Sequence, residues 1–369
     1  MILVLATDVF SIGGIQRYTR YQIQALRSYS WLDKIVVFSL CSENKNDSLG
    51  GKFMVDYVFG GTDFFSKIRF SLKAIIFVIK EKPNLVLCNH ISFSFIVRLI
   101  KKITGVPYIF NVYGMEIWSG LSSGRIKGLK QAKAIISDCK FTIKYVKDNF
   151  GISEDKIFLL YDCVDLGKFY PQIVPRVIYE KYGINKNKKI ISVVGRLAYD
   201  KGQKTMISFL KYLPDNIILV LVGGGSKLKE WKKFAELEGI EKRVIFTGYV
   251  PEEDLVFLYN IANLIVYLSK FKKNEGGALP LVLIEAGACE KPIIVSDEDG
   301  ATEAVKNGFN GFIVPTRNKE AVIGKIKYFF SNPQILKEIS RNSRKYVERN
   351  FSYKIFNKKQ EDIIKGILK

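Results

Sequence analysis

The segment NEGGALPLVLIEAGACEKPIIVS, from Asn274 to Ser296, has a glycine pair and a carboxylate at each end of a short apolar run, Glu275 and Glu285. A glycine-rich helix start presents backbone N–H groups that hold anionic or hydroxyl-rich ligands. We therefore predict a ligand-facing helix start at Ala278, Leu279 and Pro280. Glu285, about one turn into that helix, is either a hydrogen-bond acceptor for two adjacent sugar hydroxyls or a solvated helix residue. Its apolar neighbours argue against full solvation.

A second candidate site for an anion lies in the segment VVGRLAYDKGQKT, where an apolar run ends at Gly195 and Arg196, and Lys201 follows. An arginine fork matches phosphate oxygens bidentately, and a lysine nearby adds a compact point charge. The alternative is a pair of solvated loop cations. Their position beside glycines at the end of a buried run favours a diphosphate site.

Two other glycine clusters also join an apolar run to a helical pattern. Gly13 and Gly14 in SIGGIQRYT bring amide groups to a helix start, where they hold a phosphate or a carboxylate. A plain strand-to-helix turn explains them equally well, because the segment is not the G-x-G-x-x-G fingerprint. The triple glycine in LVLVGGGSKLKEWKKFAE is either a flexible turn or a supporting wall of a ligand cleft.

The elements that must position these residues are short apolar runs alternating with longer stretches of helical period. This alternation predicts an α/β chain with parallel sheets covered by helices on both faces. The predicted strands are Ile2–Ala6, Lys34–Ser39, Phe53–Phe59, Leu85–Asn89, Tyr108–Val112, Ala134–Ser137, Ile157–Leu160, Ile190–Val194, Ile217–Val222, Val244–Thr247, Leu264–Leu268, Pro292–Val295 and Gly311–Val314.

A length of 369 residues suits two domains better than one core. Pro171, Pro175 and the cluster YGINKNKK break the alternation and mark the boundary. We predict two doubly wound domains at 1–165 and 189–350, a linker at 166–188, and a helix at 351–369 that packs back on the first domain. Successive doubly wound domains place their ligand loops in facing positions, so we expect the site in the cleft between them.

Composition limits the class of partner and the compartment. The net charge of +21 calls for an anionic partner, which is nucleic acid, an anionic membrane surface or a phosphorylated substrate. Five cysteines without a C-x-x-C pair indicate a reducing compartment, so we expect a cytosolic protein.

The start MILVLATDVF has no basic segment before its apolar run and is predicted as a strand, not a signal peptide. All apolar runs are shorter than the roughly 18 to 20 residues that span a bilayer.

Six segments in a set order carry a specific resemblance to a known family. They are GGIQRYT, YDCVDLGKFYP, VVGRLAYDKG, VIFTGYVPEEDLVFLYNIANLIVYLS, EGGALPLVLIEAGACEKPIIVSD and NGFNGFIVP. Over nearly the whole chain, their order and spacing resemble the GT-B glycosyltransferases of family four, which transfer sugars from nucleotide donors with retention of anomeric configuration. The resemblance implies the GT-B fold, with two facing Rossmann-like domains and an interdomain cleft. It also implies that no metal cofactor is needed, since cations and helix amides neutralise the leaving diphosphate.

The resemblance assigns roles in donor binding to individual residues. Arg196 and Lys201 match the family's diphosphate ligands, and Glu285 matches the glutamate that bonds the ribose hydroxyls. Gly13 and Gly14 match the amides that approach the distal phosphate or the transferred sugar. The remaining donor positions, which meet the sugar, the phosphates or the base, correspond to Gly195, Gly277, Ala278, Leu279, Pro280, Tyr249 and Val250.

The chain departs from the family pattern at two places. The family's paired glutamates lie eight positions apart, whereas Glu275 and Glu285 lie ten apart, and Gly277 stands in the first glutamate's place. Either a bulge lets Glu275 reach the sugar, or that catalytic role is lost. The segment FNVYGMEIW has Tyr113 where many relatives have histidine, and a tyrosine is a poor base at neutral pH. Glu116 is then either the nearest carboxylate for acceptor binding or proton transfer, or a simple helix-start residue.

The single histidine, His90 in LCNHISFSF, lies at the end of a predicted strand. It is interpreted either as part of an acceptor site or as a hydrogen-bonded histidine near the core. The predicted acceptor-binding set is His90, Tyr113 and Glu116. The predicted catalytic set is Arg196, Lys201, Glu116 and Glu275.

Basic and aromatic residues are mixed in FFSKIRFSLKAIIFVIKEK, and further cations follow at Lys101, Lys102, Arg125, Lys127 and Lys130. A cationic amphipathic face of this kind predicts peripheral attachment to the anionic inner face of the cell membrane, where a lipid-linked acceptor resides. The alternative is a core-facing helix with solvated lysines. The aromatics fall on core periods and not in an exposed stacking pattern, so nucleic acid is not the predicted partner.

Together these features predict a retaining glycosyltransferase that uses a UDP- or GDP-sugar in bacterial surface polysaccharide synthesis, such as that of capsule or lipopolysaccharide. The acceptor is expected to be a lipid-linked saccharide or an oligosaccharide. A non-catalytic protein that binds sugar nucleotides is an alternative because of the two departures, and a basic nucleic-acid-binding protein is another. Donor turnover supports the enzyme, and salt-sensitive oligonucleotide binding without turnover supports the last alternative.

Overall fold

The computed structural model of the chain describes residues 1–11, 13–41, 55–270 and 278–369. Contacts between Cα atoms divide it into two units, one formed by Met1–Cys163 with Tyr353–Lys369 and the other by Val164–Ser352. The segment 166–188, predicted as a linker, therefore belongs to the second unit. Within it, Tyr182 Oη donates a hydrogen bond to Asp254 Oδ2 at 2.7 Å, which holds the segment against that unit.

The described part of the first unit contains a seven-stranded sheet in the order β3-β2-β1-β4-β5-β6-β7. Its strands are β1 (Ile2–Ala6), β2 (Ile35–Ser39), β3 (Tyr57–Val58), β4 (Leu85–Cys88), β5 (Tyr108–Val112), β6 (Ala134–Ser137) and β7 (Ile157–Leu159). The helices that alternate with them are α1 (Gly14–Arg27), α2 (Phe64–Glu81), α3 (Ser94–Thr104), α4 (Met115–Trp118), α5 (Ser123–Gln131) and α6 (Lys140–Phe150).

The second unit contains, among its described residues, a six-stranded sheet in the order β10-β9-β8-β11-β12-β13. Its strands are β8 (Lys189–Val194), β9 (Ile217–Val222), β10 (Val244–Gly248), β11 (Leu264–Tyr267), β12 (Ile293–Ser296) and β13 (Gly311–Val314). Its helices are α7 (Arg176–Lys181), α8 (Gln203–Leu210), α9 (Leu228–Leu237), α10 (Glu252–Ile261), α11 (Leu281–Ala288), α12 (Lys319–Ser331) and α13 (Pro333–Asn350).

The strand pairs of both sheets are parallel, and the predicted strands are confirmed with ends shifted by at most one residue, with one exception. The exception is Phe53–Phe59, whose first two residues lie outside the described part and whose strand is limited to β3. Strands such as β1 and β9 are apolar at every position and fully buried, as expected for parallel strands covered by helices on both faces.

In each sheet the strand order reverses once, between β1 and β4 in the first unit and between β8 and β11 in the second. The loops leaving the carboxyl ends of these strands diverge there and leave a crevice, which is where doubly wound domains bind ligands. Both units therefore have the Rossmann-like architecture that was predicted, and each has one preferred edge for a ligand.

The C-terminal helix α14 (Tyr353–Leu368) packs on α1 of the first unit. Phe356 meets the ring of Tyr18 edge to face at 5.5 Å, and Gln360 Nε2 donates to the carbonyl of Gln22 at 2.9 Å. These buried contacts complete the core of the first unit with residues from the far end of the chain.

Candidate functional site

The loop between β8 and α8 carries two cations at the reversal point of the second sheet. Gly195 follows β8 with φ of 140°, and Gly202, with φ of 74°, lies directly before α8. Arg196 and Lys201 lie between these glycines. The structure thus brings the predicted diphosphate ligands into one short loop at the ligand edge of the sheet.

Close backbone packing holds this loop in place. A Cβ atom at Gly202 would lie 2.5 Å from the carbonyl carbon of Leu268, and one at Gly225 would lie 2.5 Å from the carbonyl oxygen of Leu197. Leu197 N also donates to the carbonyl of Gly224 at 2.8 Å. The triple glycine that includes Gly224 and Gly225 therefore packs directly against the cationic loop, as the supporting-wall interpretation predicted.

The two cations of the loop have different surroundings. Arg196 is exposed, and no residue in the described ranges forms a hydrogen bond or ion pair with its guanidinium group. Lys201 is largely buried, with its Nζ 2.9 Å from Asp200 Oδ2. Burial opposes the charge on Lys201, but Tyr267 and the Asp200 carboxylate outweigh it and raise the pKa of Lys201. Lys201 therefore stays protonated at neutral pH, and Arg196 is available to an anionic ligand.

Asp200 is a site residue that was not predicted. The sequence feature that could have indicated it is its position directly before Lys201 in the segment YDKG. Its carboxylate lies on one side of the Lys201 ammonium group and orients it, and binding of a diphosphate by Lys201 stays a prediction.

Glu285, on α11, is only 2% exposed, so the alternative of a solvated helix residue is wrong. Tyr259 Oη, on α10, donates a hydrogen bond to Glu285 Oε2 at 2.6 Å. The carboxylate orientation is therefore set by a residue 26 positions earlier in the chain, which no local pattern indicated. Binding of ribose hydroxyls by Glu285 stays a prediction.

The remaining predicted donor residues of the second unit differ in placement. Tyr249 follows β10 and is 73% exposed, so its ring is open to a planar ligand, and Val250 beside it is half-buried. Before α11, Leu279 is buried, whereas Ala278 and Pro280 are half-buried, and no side chain caps the helix. Two predicted residues, Glu275 and Gly277, lie outside the described residues.

The loop between β1 and α1 in the first unit is held by side chains that were not predicted. Asp8 Oδ1 accepts a hydrogen bond from the backbone N–H of Ser11 at 3.3 Å, and Arg20 Nη1 donates to the Ser11 carbonyl at 3.2 Å. Gly13 precedes the first helical residue, Gly14, and no side chain caps this helix start. The arrangement leaves a helix N-terminus at the reversal point of the first sheet, and its contact with a phosphate stays a prediction.

Tyr113 lies in the core of the first unit and not at a ligand surface. Its side chain is 5% exposed and meets the ring of Tyr18 edge to face at 5.3 Å. Burial raises the pKa of Tyr113 well above its ordinary value. The predicted hydrogen bond from its hydroxyl to an acceptor sugar does not fit this placement, because the hydroxyl points into packed side chains.

Glu116, in the first turn of α4, accepts hydrogen bonds from the backbone. Its Oε1 lies 2.6 Å from the N atom of Tyr113, and its Oε2 lies 3.2 Å from that of Gly114. This is the helix-start role that was one of the two interpretations. The carboxylate remains half-buried, so acceptor binding by Glu116 stays a prediction.

His90 lies between the end of β4 and α3 and is half-buried. Its Nδ1 accepts a hydrogen bond from the backbone N–H of Ser92 at 3.1 Å, which leaves the proton of the neutral ring on Nε2. Burial lowers the pKa of His90, the nearby Arg125 lowers it further, and Glu116 partly opposes both. Of the predicted acceptor residues, the structure therefore places the Glu116 carboxylate near the His90 ring and against the backbone of Tyr113, whose own side chain is buried.

Because the sequence contains one histidine, proton NMR of the untagged protein reports His90 alone. We expect a titration midpoint below the reference value of about 6.5. Arg125→Gln should raise the midpoint and Glu116→Gln should lower it, because the two side chains act on His90 with opposite signs. Equal shifts in one direction for both variants would contradict the described geometry.

No group of three or more histidine, cysteine, aspartate or glutamate side chains is arranged to hold a metal ion in the described part of the chain. Among the same residues, none of the helices combines the length and apolarity needed to cross a bilayer. The predicted independence from metal stays a prediction.

Two family models match the chain in succession. The family described as Glycosyltransferase Family 4 matches residues 12–168, and the one described as Glycosyl transferases group 1 matches residues 176–346. These matches fall on the first and second units respectively and together span most of the chain.

Among related proteins, an uncharacterized glycosyltransferase of Methanocaldococcus jannaschii, MJ1069, is 27% identical over 243 residues, which are 65% of this chain and 60% of that protein. A Campylobacter jejuni enzyme is 30% identical over 200 residues, 53% of this chain and 50% of that protein. Its name is N,N'-diacetylbacillosaminyl-diphospho-undecaprenol alpha-1,3-N-acetylgalactosaminyltransferase. This chain thus covers less than two thirds of the length of either relative.

Among solved structures, Anabaena Alr3699/HepE in complex with UDP superposes with a TM-score of 0.82 at 18% identity, covering 99% of each chain. At that identity the likeness establishes the fold and not the ligand. Both units of the present chain therefore have counterparts in one known protein.

Proposed function

This chain belongs to the GT-B glycosyltransferases of the family four type, and from that premise we propose that it transfers a sugar from a UDP- or GDP-sugar to a lipid-linked or oligosaccharide acceptor. We further propose that the configuration at the anomeric carbon is retained and that the product is a bacterial surface polysaccharide. The observation that carries the proposal is the exposed, unpaired Arg196 in the same loop as the protonated Lys201, within the described residues.

The donor assignment follows from the charge of the leaving group. Breaking the bond between sugar and phosphate leaves negative charge on the nucleoside diphosphate, and fixed cations stabilise that charge more strongly as it develops. Arg196 offers a bidentate fork, and Lys201 offers a point charge whose orientation is set by Asp200. In this proposal these two side chains and helix amides stabilise the leaving group without a metal.

The reaction proposed at the sugar follows the same logic. As the bond to phosphate breaks, the anomeric carbon becomes oxocarbenium-like, and the acceptor hydroxyl attacks from the face that the phosphate leaves. The acceptor proton goes to the departing phosphate oxygen, so no protein base is required. The core placement of Tyr113 and the capping role of Glu116 are compatible with such a route, since neither is required as a base.

The acceptor class is supported by the Campylobacter jejuni relative, whose name specifies a sugar carried on diphospho-undecaprenol.

A panel of UDP-, GDP- and ADP-sugars tests the proposal through thermal unfolding. A donor present at about 100 times its Kd should stabilise the protein by about 2.7 kcal/mol, which corresponds to a rise in Tm of several degrees. Incubation of the stabilising donor with an undecaprenyl-diphosphate saccharide, followed by mass spectrometry, should then show transfer. Stabilisation by none of the donors would count against the function, and oligonucleotide binding without turnover would favour the nucleic-acid alternative.

A further inference from the structure

A set of polar side chains ties the cationic loop to the neighbouring helix α9. Tyr199 lies in that loop, three positions after Arg196 and two before Lys201. Its hydroxyl donates a hydrogen bond to the Glu230 carboxylate, with 2.7 and 2.8 Å between Tyr199 Oη and the two carboxylate oxygens. Glu230 belongs to the first turn of α9, so this contact joins two separate connections between a strand and a helix.

Lys227, directly before α9, contacts both members of this pair. Its Nζ donates to Tyr199 Oη at 2.8 Å and to Glu230 Oε2 at 2.9 Å. The same Nζ lies 4.0 Å from the centroid of the Tyr199 ring. Each of the three side chains therefore contacts the other two, and Tyr199, Lys227 and Glu230 are here called the clamp.

The clamp lies against a buried ring. The Tyr199 ring meets the fully buried ring of Trp231 edge to face, with 6.5 Å between the centroids. An isolated ion pair at a surface contributes little, because solvent screens the charges and two mobile side chains must be ordered. In the clamp, three mutual contacts and a packed ring order the side chains together, so we expect a larger effect than from an isolated pair.

The cationic loop needs such an anchor because a glycine stands at each of its ends. Gly195 and Gly202 have positive φ values of 140° and 74°, in a region that glycine enters freely. The hydrogen bond from Leu197 N to the Gly224 carbonyl holds the first half of the loop. The clamp holds the second half, where Lys201 lies.

We propose that the clamp holds the cationic loop in the conformation that receives a diphosphate, which makes Tyr199 a positioning residue for Arg196 and Lys201. The inference rests on the proposed function, because that function makes the loop the diphosphate site. The Tyr199 hydroxyl is engaged by Glu230 and Lys227, so Tyr199 acts through the two loop cations. A loop that is ordered before binding avoids the entropic cost of immobilisation when the ligand arrives, and its affinity rises accordingly.

The alternative role for the clamp is to stabilise α9 alone. Lys227 and Glu230 are three positions apart at the start of the helix, and ion pairs at this spacing support helices in general. Tyr199 favours the positioning role, because it comes from the cationic loop and contributes two of the three contacts within the clamp.

Calorimetric titration of the full-length protein with pyrophosphate tests the inference without a sugar donor. Tyr199→Phe keeps the ring but removes the hydroxyl, and it should weaken pyrophosphate binding about three- to tenfold. Glu230→Met removes the acceptor and should cause a similar loss, although removing a negative charge by itself favours an anion. The double variant should bind about as weakly as either single variant, because both changes break the same hydrogen bond. Glu230→Gln keeps an oxygen acceptor and should restore most of the affinity.

The matched control is Tyr212→Phe. Tyr212 is 44% exposed and lies in the same unit, and its hydroxyl forms no hydrogen bond with a described residue. This variant should bind pyrophosphate as tightly as wild type.

Three results would overturn the positioning role: unchanged affinity of Tyr199→Phe, additive losses in the double variant, or a lower Tm with unchanged affinity. Failure of the proposed function would look different. Wild type would then not bind pyrophosphate, or Arg196→Ala would bind it as tightly as wild type, and either result would overturn the diphosphate site together with the role of the clamp.

Discussion

Replacing Arg196 by alanine is expected to lower kcat/KM roughly a hundredfold or more while leaving the fold intact. A charge-assisted contact at a site of developing charge is worth about 3 kcal/mol or more in the transition state. Because the Arg196 side chain is exposed, its removal breaks no hydrogen bond or ion pair with the part of the chain that the structure describes. The loss should appear in kcat as well as in kcat/KM, since the diphosphate gains charge as the bond to the sugar breaks.

Two further variants distinguish loss of a specific contact between Arg196 and the donor from a general effect of removing a positive charge. Arg196→Lys keeps the charge but loses the fork, so its kcat/KM should fall between those of wild type and the alanine variant. Lys229→Ala removes an exposed cation of α9 in the same unit and should leave kcat/KM unchanged. Turnover of Arg196→Ala at the wild-type rate would remove this residue from the donor site.

Gly202→Ala is expected to destabilise the second unit by about 2 to 5 kcal/mol. A left-handed backbone costs a residue with a side chain about 1 to 2 kcal/mol, and overpacking adds about 1 to 3 kcal/mol. Both apply here, because φ is 74° and the new Cβ would lie 2.5 Å from the carbonyl carbon of Leu268. The adjacent Lys201 should be displaced as well. We therefore expect both a lower free energy of unfolding and a lower affinity for the donor.

Gly239→Ala is the matched control for the steric part of this effect. Gly239 has a similar φ of 68°, but a Cβ there meets no heavy atom within 4 Å. Its variant should lose only the backbone cost of about 1 to 2 kcal/mol in urea unfolding. Equal losses for the two variants would show that the packing of the cationic loop against the end of β11 contributes nothing.

Secondary structure was the part of the molecule most accessible to prediction. Parallel strands buried on both faces, such as β1 and β9, are apolar at every position, so they stand out against the helices between them. The order of such runs, with the resemblance of six segments, predicted two Rossmann-like units and the family. The cationic loop was also predictable, because Arg196 and Lys201 lie five positions apart, just after the end of a strand.

Partners that are distant in the sequence were not predictable. Tyr259 lies 26 positions from the Glu285 carboxylate that it hydrogen-bonds, and Arg20 reaches the loop after β1 from inside α1. Tyr113 is a residue type that often binds sugars, yet its ring is buried in the core, where it packs edge to face on the ring of Tyr18. The linker interpretation of 166–188 relied on prolines and polar residues, whereas contacts such as that between Tyr182 and Asp254 tie the segment to the second unit.

By itself, the sequence determined the strands, the helices, the family and the location of the cationic loop. All of these depend on residues that are near one another in the chain, where periodicity and spacing express local geometry directly. Only the tertiary structure decided which of the candidate side chains are buried, which are paired and which remain open to a ligand. Glu285 became a buried and oriented carboxylate, Tyr113 a core residue and Arg196 an exposed cation with no partner among the described residues. Burial and pairing depend on neighbours that folding brings together from distant positions.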